Sequence, residues 1–315
     1  MTLLGHDDAW HQWRDAMGGG RMHHAWLLAG RKGVGKASFA LAAARELVGA
    51  SPGQENHPDI HWLTHGPKDD KEERKRADGK PFELARSIRI AQIRALQQRL
   101  TTRPTAGSRR AIVIDPSDDL ERNAANALLK SLEEPPVGTF FLLVAHSPAR
   151  LLPTIRSRCR VLRFPTVESD QMDRLLAELA PAADMATREA AIAASAGSPG
   201  AALSFVQLEL GQAAGLMRRI LDQGDPDFSQ RGKLAAAIGG RPDRARLQAI
   251  LDLARAALSE RLDTGGDPRP LIEAHSEMVR LSAEQPTYNF DAGLLAMEIG
   301  TLLARVSAAS ERANG

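Results

Sequence analysis

The chain has 315 residues, of which 43% are hydrophobic and 25% charged, with 41 Lys plus Arg against 39 Asp plus Glu. This composition excludes a disordered tail or a collagen-like fibre, and a net charge of +2 confines any basic surface to a local patch. The single cysteine, Cys159, excludes an intramolecular disulfide and a cysteine-built zinc site.

The opening MTLLGHDDAWHQW has no basic stretch followed by an apolar one, and no run approaches 18 apolar residues, so a cytoplasmic protein with no membrane span is expected. Asp7 or Asp8 is expected to cap a short helix that stops at 18–20. Residues 24–29 form a short apolar run, followed by a glycine loop and a helix over 36–48. A strand is expected at 59–63. Residues 68–80 carry six basic and five acidic side chains and read as a solvated loop. A helix near 90–100 precedes a buried strand at 110–115 that ends in a carboxylate. The helix over 122–132 is stopped by Pro135-Pro136. Strands follow at 140–145 and 160–164. Strands alternating with helices imply a parallel sheet covered on both faces. After Pro165 the strand patterns cease. Three short helices are expected at 170–179, 187–196 and 199–208, then longer ones with breaks at 224–226, 239–242 and 264–270. The chain therefore reads as an α/β domain (1–164), a small helical domain (165–208) and an all-α C-terminal domain (209–315).

The loop Gly30-Arg-Lys-Gly33-Val-Gly35-Lys36-Ala37 nearly matches GxxxxGK[ST]. Glycines let successive N–H groups wrap a phosphate, the helix that follows adds partial positive charge, and Lys36 would reach the β- and γ-phosphates. Position 37 should offer a hydroxyl to Mg²⁺ and is alanine. Ser38 comes one residue late, about 100° further round the helix. Asp115 ends the buried strand where a P-loop ATPase holds a magnesium-assisting carboxylate, but Pro116 follows where a base is wanted. Asp118 and Asp119 read as caps for the helix at 122 rather than as a base. The residues leave two readings of the loop open: a weak ATP or ADP site, or an inherited turn that binds no nucleotide.

Three further stretches, NALLKSLEEPP (126–136), Ser157-Arg158-Cys159 and AGSPGAAL (196–203), join HHAWLLAGRKGVGK (23–36) in this order. Together they resemble bacterial AAA+ clamp-loader subunits of DNA polymerase III. The resemblance covers residues 1–205 and extends to the rest by length and helicity. It implies a P-loop AAA+ domain, a helical lid and a helical collar that holds a ring. It also implies that Ala145 or His146 and Gly200 stand where hydrolysing members carry polar sensor residues, so these departures, with Ala37 and Pro116, point to a member with no ATPase activity of its own. On the same resemblance Arg158 projects into the ATP site of a neighbouring subunit. By itself Arg158 reads as a local ion-pair partner in an arginine-rich stretch. The partners implied are the gamma/tau and delta subunits of a heteropentamer, within a DNA-directed DNA polymerase holoenzyme that loads a sliding clamp on primed DNA.

Relatives often carry a four-cysteine zinc module after the P-loop helix. No cysteine stands there, and His57, His61 and His65 straddle Pro58 and a strand, so no structural zinc and no other metal is expected. Residues 86–110 hold seven arginines (Arg86, Arg89, Arg94, Arg99, Arg103, Arg109 and Arg110) and no acid. They read either as a patch for primer-template phosphates or as a basic face toward acidic neighbours. Cys159 reads as a small buried residue.

Overall fold

Five strands form one fully parallel sheet: β1 (Ala25–Ala29), β2 (Ile60–Leu63), β3 (Arg110–Ile114), β4 (Thr139–Ala145) and β5 (Arg160–Arg163), in the order β2-β3-β4-β1-β5. The computed structural model describes residues 6–20, 22–51, 54, 56–262, 268–285 and 290–314. Successive side chains of a strand face opposite ways, and the apolar residues use both faces. Trp26, Leu28, Val113, Leu142 and Val144 pack with Trp13 of α1 (Asp7–Gly18) and with Phe39, Ala43 and Leu47 of α2 (Lys36–Val48). Leu27, Ile112, Ile114, Phe141 and Leu143 pack on the other side. Their partners there are Ile93 and Leu96 of α4 (Ile90–Leu100), Leu128 and Leu132 of α5 (Arg122–Glu133) and Ile155 of α6 (Pro153–Arg156). Burial on both faces is what the near-continuous apolar strands require. The connections after β1 and β4 leave for opposite faces, so the C-terminal ends of these two neighbours flank a switch point, where ligands of open α/β sheets bind.

The chain divides into two compact units, Met1–Thr166 and Val167–Gly315. The described residues of the second unit are helical: α7 (Ser169–Leu179), α8 (Met185–Ser195), α9 (Pro199–Gln207), α10 (Gly211–Gln223), α11 (Ser229–Ile238), α12 (Arg244–Leu262), α13 (Arg269–Glu284) and α14 (Ala292–Asn314). One apolar core runs through it, from Met172 and Leu176 to Leu303 and Val306, so the segments 165–208 and 209–315 share a core. The apolar residues of α12 and of Leu295–Val306 face that core. Part of the break at 264–270 lies outside the described residues.

Two expectations are corrected. Asp7 and Asp8 lie in the first turn of α1, where they favour the helix dipole, but His6 is the N-cap residue and makes no side-chain cap. The segment 68–80 is not a loop throughout: it contains α3 (Asp70–Ala77), capped by Asp69, whose carboxylate accepts the Lys71 and Glu72 N–H groups at 3.0 Å each. Glu72 anchors this helix by accepting from Lys75 Nζ at 2.7 Å and from the Glu83 N–H at 2.8 Å.

Candidate functional site

The glycine loop turns β1 into α2 at the C-terminal edge of the sheet. Gly33 and Gly35 have φ of 82° and 103°, a region that costs side-chain-bearing residues strain. Gly30 answers a different need, since a Cβ there would lie 2.3 Å from the Phe164 carbonyl oxygen. The loop is also held from outside: His6 Nε2 donates to the Val34 carbonyl at 2.5 Å, and the His6 ring stands edge-on to Phe164 with centroids 4.8 Å apart. Burial keeps His6 below the ordinary imidazole pKa.

Lys36 is 2% exposed, and its Nζ donates to the Gly30 and Arg31 carbonyls at 2.6 Å each. The amine that the motif assigns to a phosphate is here bonded to the loop's own backbone. Burial pulls its pKa down to about 8, against the opposing charges of Asp118 and Asp115. Burial likewise raises the Asp115 carboxyl, with Lys36 pulling the other way. Ala37 follows Lys36 in the first turn of α2 and offers only a methyl group, while Ser38 is exposed.

Asp118 and Asp119 do not cap α5, contrary to expectation. Asp118 is buried and accepts the backbone N–H groups of His146 and Ser147, the nearest at 2.7 Å, which pins the end of β4. Asp119 accepts from His65 Nε2 at 3.2 Å and pairs with Arg150 at 3.3 Å; the His65 hydrogen bond holds its carboxyl below the usual range. His146 itself is depressed by burial and by the Lys36 charge, and its Nδ1 is buried without a hydrogen-bond partner. Ala145 is buried in the sheet, and Gly200 lies in the first turn of α9.

Arg158 sits in the turn between α6 and β5. Its backbone N–H donates to the Ile155 carbonyl at 3.1 Å, and its guanidinium donates to the Thr154 carbonyl at 2.9 Å and pairs with Glu133 at 2.6 Å. The Arg158 side chain is 35% exposed and that of Glu133 48%. The strand register fixes where this is. β5 runs parallel to β1 with Trp26 opposite Arg160 and Ala29 opposite Arg163. Gly30 therefore follows β1 at one edge of the sheet, and Arg158 precedes β5 at the other. A five-residue strand separates the two edges by roughly 16 Å. Lys36, Asp115, Asp118 and His146 are brought together; Arg158 is not among them.

The arginine run divides. Arg110 is 2% exposed and donates to the Arg99 and Thr102 carbonyls at 3.0 and 2.7 Å, so it closes the C-terminus of α4 and is removed from the expected patch. Arg89 is exposed and donates to the Lys68 carbonyl at 2.5 Å. Arg86, Arg94, Arg99 and Arg103 are exposed and make no ion pair among the described residues. The histidines go separate ways. The His57 ring accepts the Asp59 N–H at 3.2 Å, His61 lies within β2, and His65 joins Asp119. Burial drives the Cys159 thiol up to about 12, out of reach of ordinary thiolate chemistry.

Three residues that organise the site carry no motif signal of their own: His6, Asp118 and Glu133. The first two act through backbone groups far along the chain. Glu133 does lie inside a conspicuous motif, but its partner 25 positions on is set by the packing of α5 against α6.

The family described as DNA polymerase III, delta subunit, has a model that matches residues 5–168. The chain is 32% identical over 209 residues to the DNA polymerase III subunit delta' of Pseudomonas aeruginosa, covering 60% of this chain and 59% of that protein. It is 34% identical over 171 residues to the subunit delta' of Bacillus subtilis (50% and 46% covered). It is 31% identical over 255 residues to that of Escherichia coli (76% and 71% covered). The chain thus spans about half of the first two relatives' lengths and over two thirds of the third's.

Proposed function

Since the chain belongs to the DNA polymerase III delta-subunit family, we propose that it is a delta'-like subunit of the sliding-clamp loader that completes an ATP site on a neighbouring subunit. The observation that carries this reading is the position of Arg158. It stands beyond the sheet edge opposite its own phosphate loop, at least the roughly 16 Å length of a five-residue strand away, on a short helix-to-strand turn with its side chain partly exposed. An arginine there has no access to a phosphate on Lys36, so any phosphate it meets belongs to another molecule. A guanidinium supplied in trans stabilises the charge that spreads over the transferring phosphoryl oxygens.

The chain's own loop supports the same reading. The glycines present a cradle for phosphate, but Ala37 has no hydroxyl for Mg²⁺, Pro116 has no carboxylate for water, and Lys36 must break two backbone hydrogen bonds to meet a phosphate. The residues fit weak ATP or ADP binding and do not fit magnesium-dependent hydrolysis. The partners in this reading are the gamma/tau and delta subunits of a heteropentamer in the cytoplasm. Arg86, Arg94, Arg99 and Arg103 are the positions that would meet primer-template phosphates. No helix among the described residues is long and apolar enough to cross a membrane, and no group of three or more His, Cys, Asp or Glu among them could hold a metal ion.

The test is hydrolysis by the purified chain alone and by the reconstituted loader. Alone, the chain is expected to turn over ATP only at background. In the loader, Arg158→Ala is expected to slow hydrolysis while gel filtration shows intact assembly. Wild-type hydrolysis by an assembled Arg158→Ala loader would refute the reading.

A further inference from the structure

Glu133 is the C-terminal residue of α5 and Arg158 lies 25 residues on, yet their side chains meet at 2.6 Å. Three contacts fix the arginine. Its N–H is bonded to Ile155, one guanidinium nitrogen to the Thr154 carbonyl at 2.9 Å, and the other guanidinium nitrogen to Glu133. The first two are local to the α6 turn. Glu133 alone reaches in from a different element, and it is the only charged partner of Arg158 among the described residues. The element that bears it is itself anchored at this edge of the sheet, since His24 Nε2 donates to the Leu132 carbonyl at 2.7 Å.

An unrestrained arginine side chain samples many rotamers, and a finger that enters another protomer's site must give up that freedom when it acts. Two anchors on one guanidinium, a carbonyl on one nitrogen and a carboxylate on the other, fix the plane of the fork. Arginine has five N–H donors, and these two contacts use only two of them, which leaves three for an incoming phosphoryl group. We propose that Glu133 is a positioning residue for Arg158: it holds the guanidinium pre-oriented at the subunit edge so that the neighbour's site is completed without a search. This inference rests on the trans reading of Arg158 and adds to it a second residue, on α5, that touches no substrate.

The experiment uses the reconstituted loader and follows single-turnover ATP hydrolysis. The phase that Arg158→Ala removes defines the site that Arg158 serves. For Glu133→Ala, that phase is expected to keep its amplitude and to slow about 3- to 10-fold, with the ATP concentration for half-maximal rate unchanged. Glu133→Gln, which keeps an acceptor oxygen, should restore most of the rate. Glu133→Ala combined with Arg158→Ala should be no slower than Arg158→Ala alone, because a positioning residue has nothing to act on once its arginine is gone. The proposal is overturned if Glu133→Ala leaves the phase at wild-type rate, accelerates it, or adds its effect to that of Arg158→Ala, in each case with Arg158→Ala itself still slow. Normal hydrolysis by Arg158→Ala would instead remove the trans reading, and the inference with it.

Discussion

Lys36 keeps its place in the motif while its amine bonds to the loop's own backbone. Its ammonium group is buried against two carbonyls of the loop, and burial lowers its pKa to about 8 from 10.5. Between these values the unfolded chain holds the proton and the folded chain releases it. Stability therefore rises with pH through that window, because the unfolded state binds more protons there. From pH 7.5 to 9.5 the expected gain from Lys36 is about 2 kcal/mol. All four tryptophans (Trp10, Trp13, Trp26 and Trp62) lie in the first unit, so their fluorescence reports its unfolding. Urea titrations at the two pH values should show the gain in the wild type and not in Lys36→Met; an equal gain in both would remove Lys36 as its source. The glycines and the lysine were legible in the sequence because the spacing alone demands a turn. That Lys36 bonds back to Gly30 and Arg31 was not, since a spacing pattern says nothing about which acceptor an amine chooses.

At the scale of elements, alternating apolar runs gave the strands and the turn residues gave most helix ends, so the sheet and its covering helices were readable. The failures have identifiable causes. Residues 68–80 looked solvated because both signs of charge are mixed there, yet Asp69 and Glu72 stand at the spacing of a capping box. The helix also depends on Glu83, eleven residues away, which no local pattern reports. Asp118 and Asp119 looked like caps because they precede a helix; they bind the end of β4 and His65 instead. The turn after α5 depends on one glycine. Gly138 has φ of +77°, and a Cβ there would lie 2.1 Å from the Ser108 carbonyl oxygen. Gly138→Ala should cost about 2–4 kcal/mol in the same fluorescence-detected urea titration, and a loss under 0.5 kcal/mol would contradict the packing. Helix α4 presents Arg94 and Arg99 to solvent while Ile93, Leu96 and Leu100 face the core. If these arginines meet phosphates, Arg94→Ala with Arg99→Ala should reduce the salt slope of loader binding to primed DNA by about 2. An unchanged slope would assign this face to another partner.

At the scale of the whole molecule, the register of one parallel sheet separates two chemistries. The C-terminal edge holds a phosphate loop without a magnesium hydroxyl or a base, and the N-terminal edge holds an arginine and the carboxylate that fixes it. In the proposed function, a subunit built this way completes a site on its neighbour rather than one of its own. The order of the strands was visible in the sequence, but this separation follows from strand direction and pairing, which need the fold. The most direct test is the burst of ATP hydrolysis in a single turnover of the assembled loader. With the wild-type chain, every neighbouring site that fires should appear in the fast phase. With Arg158→Ala at equal assembly, the fast phase is expected to lose the amplitude of the one site that this arginine serves, and that site should slow by at least about 10²-fold, short of the 10³–10⁵ seen for arginine fingers in GTPases. A full-amplitude fast phase from the Arg158→Ala loader would contradict the account.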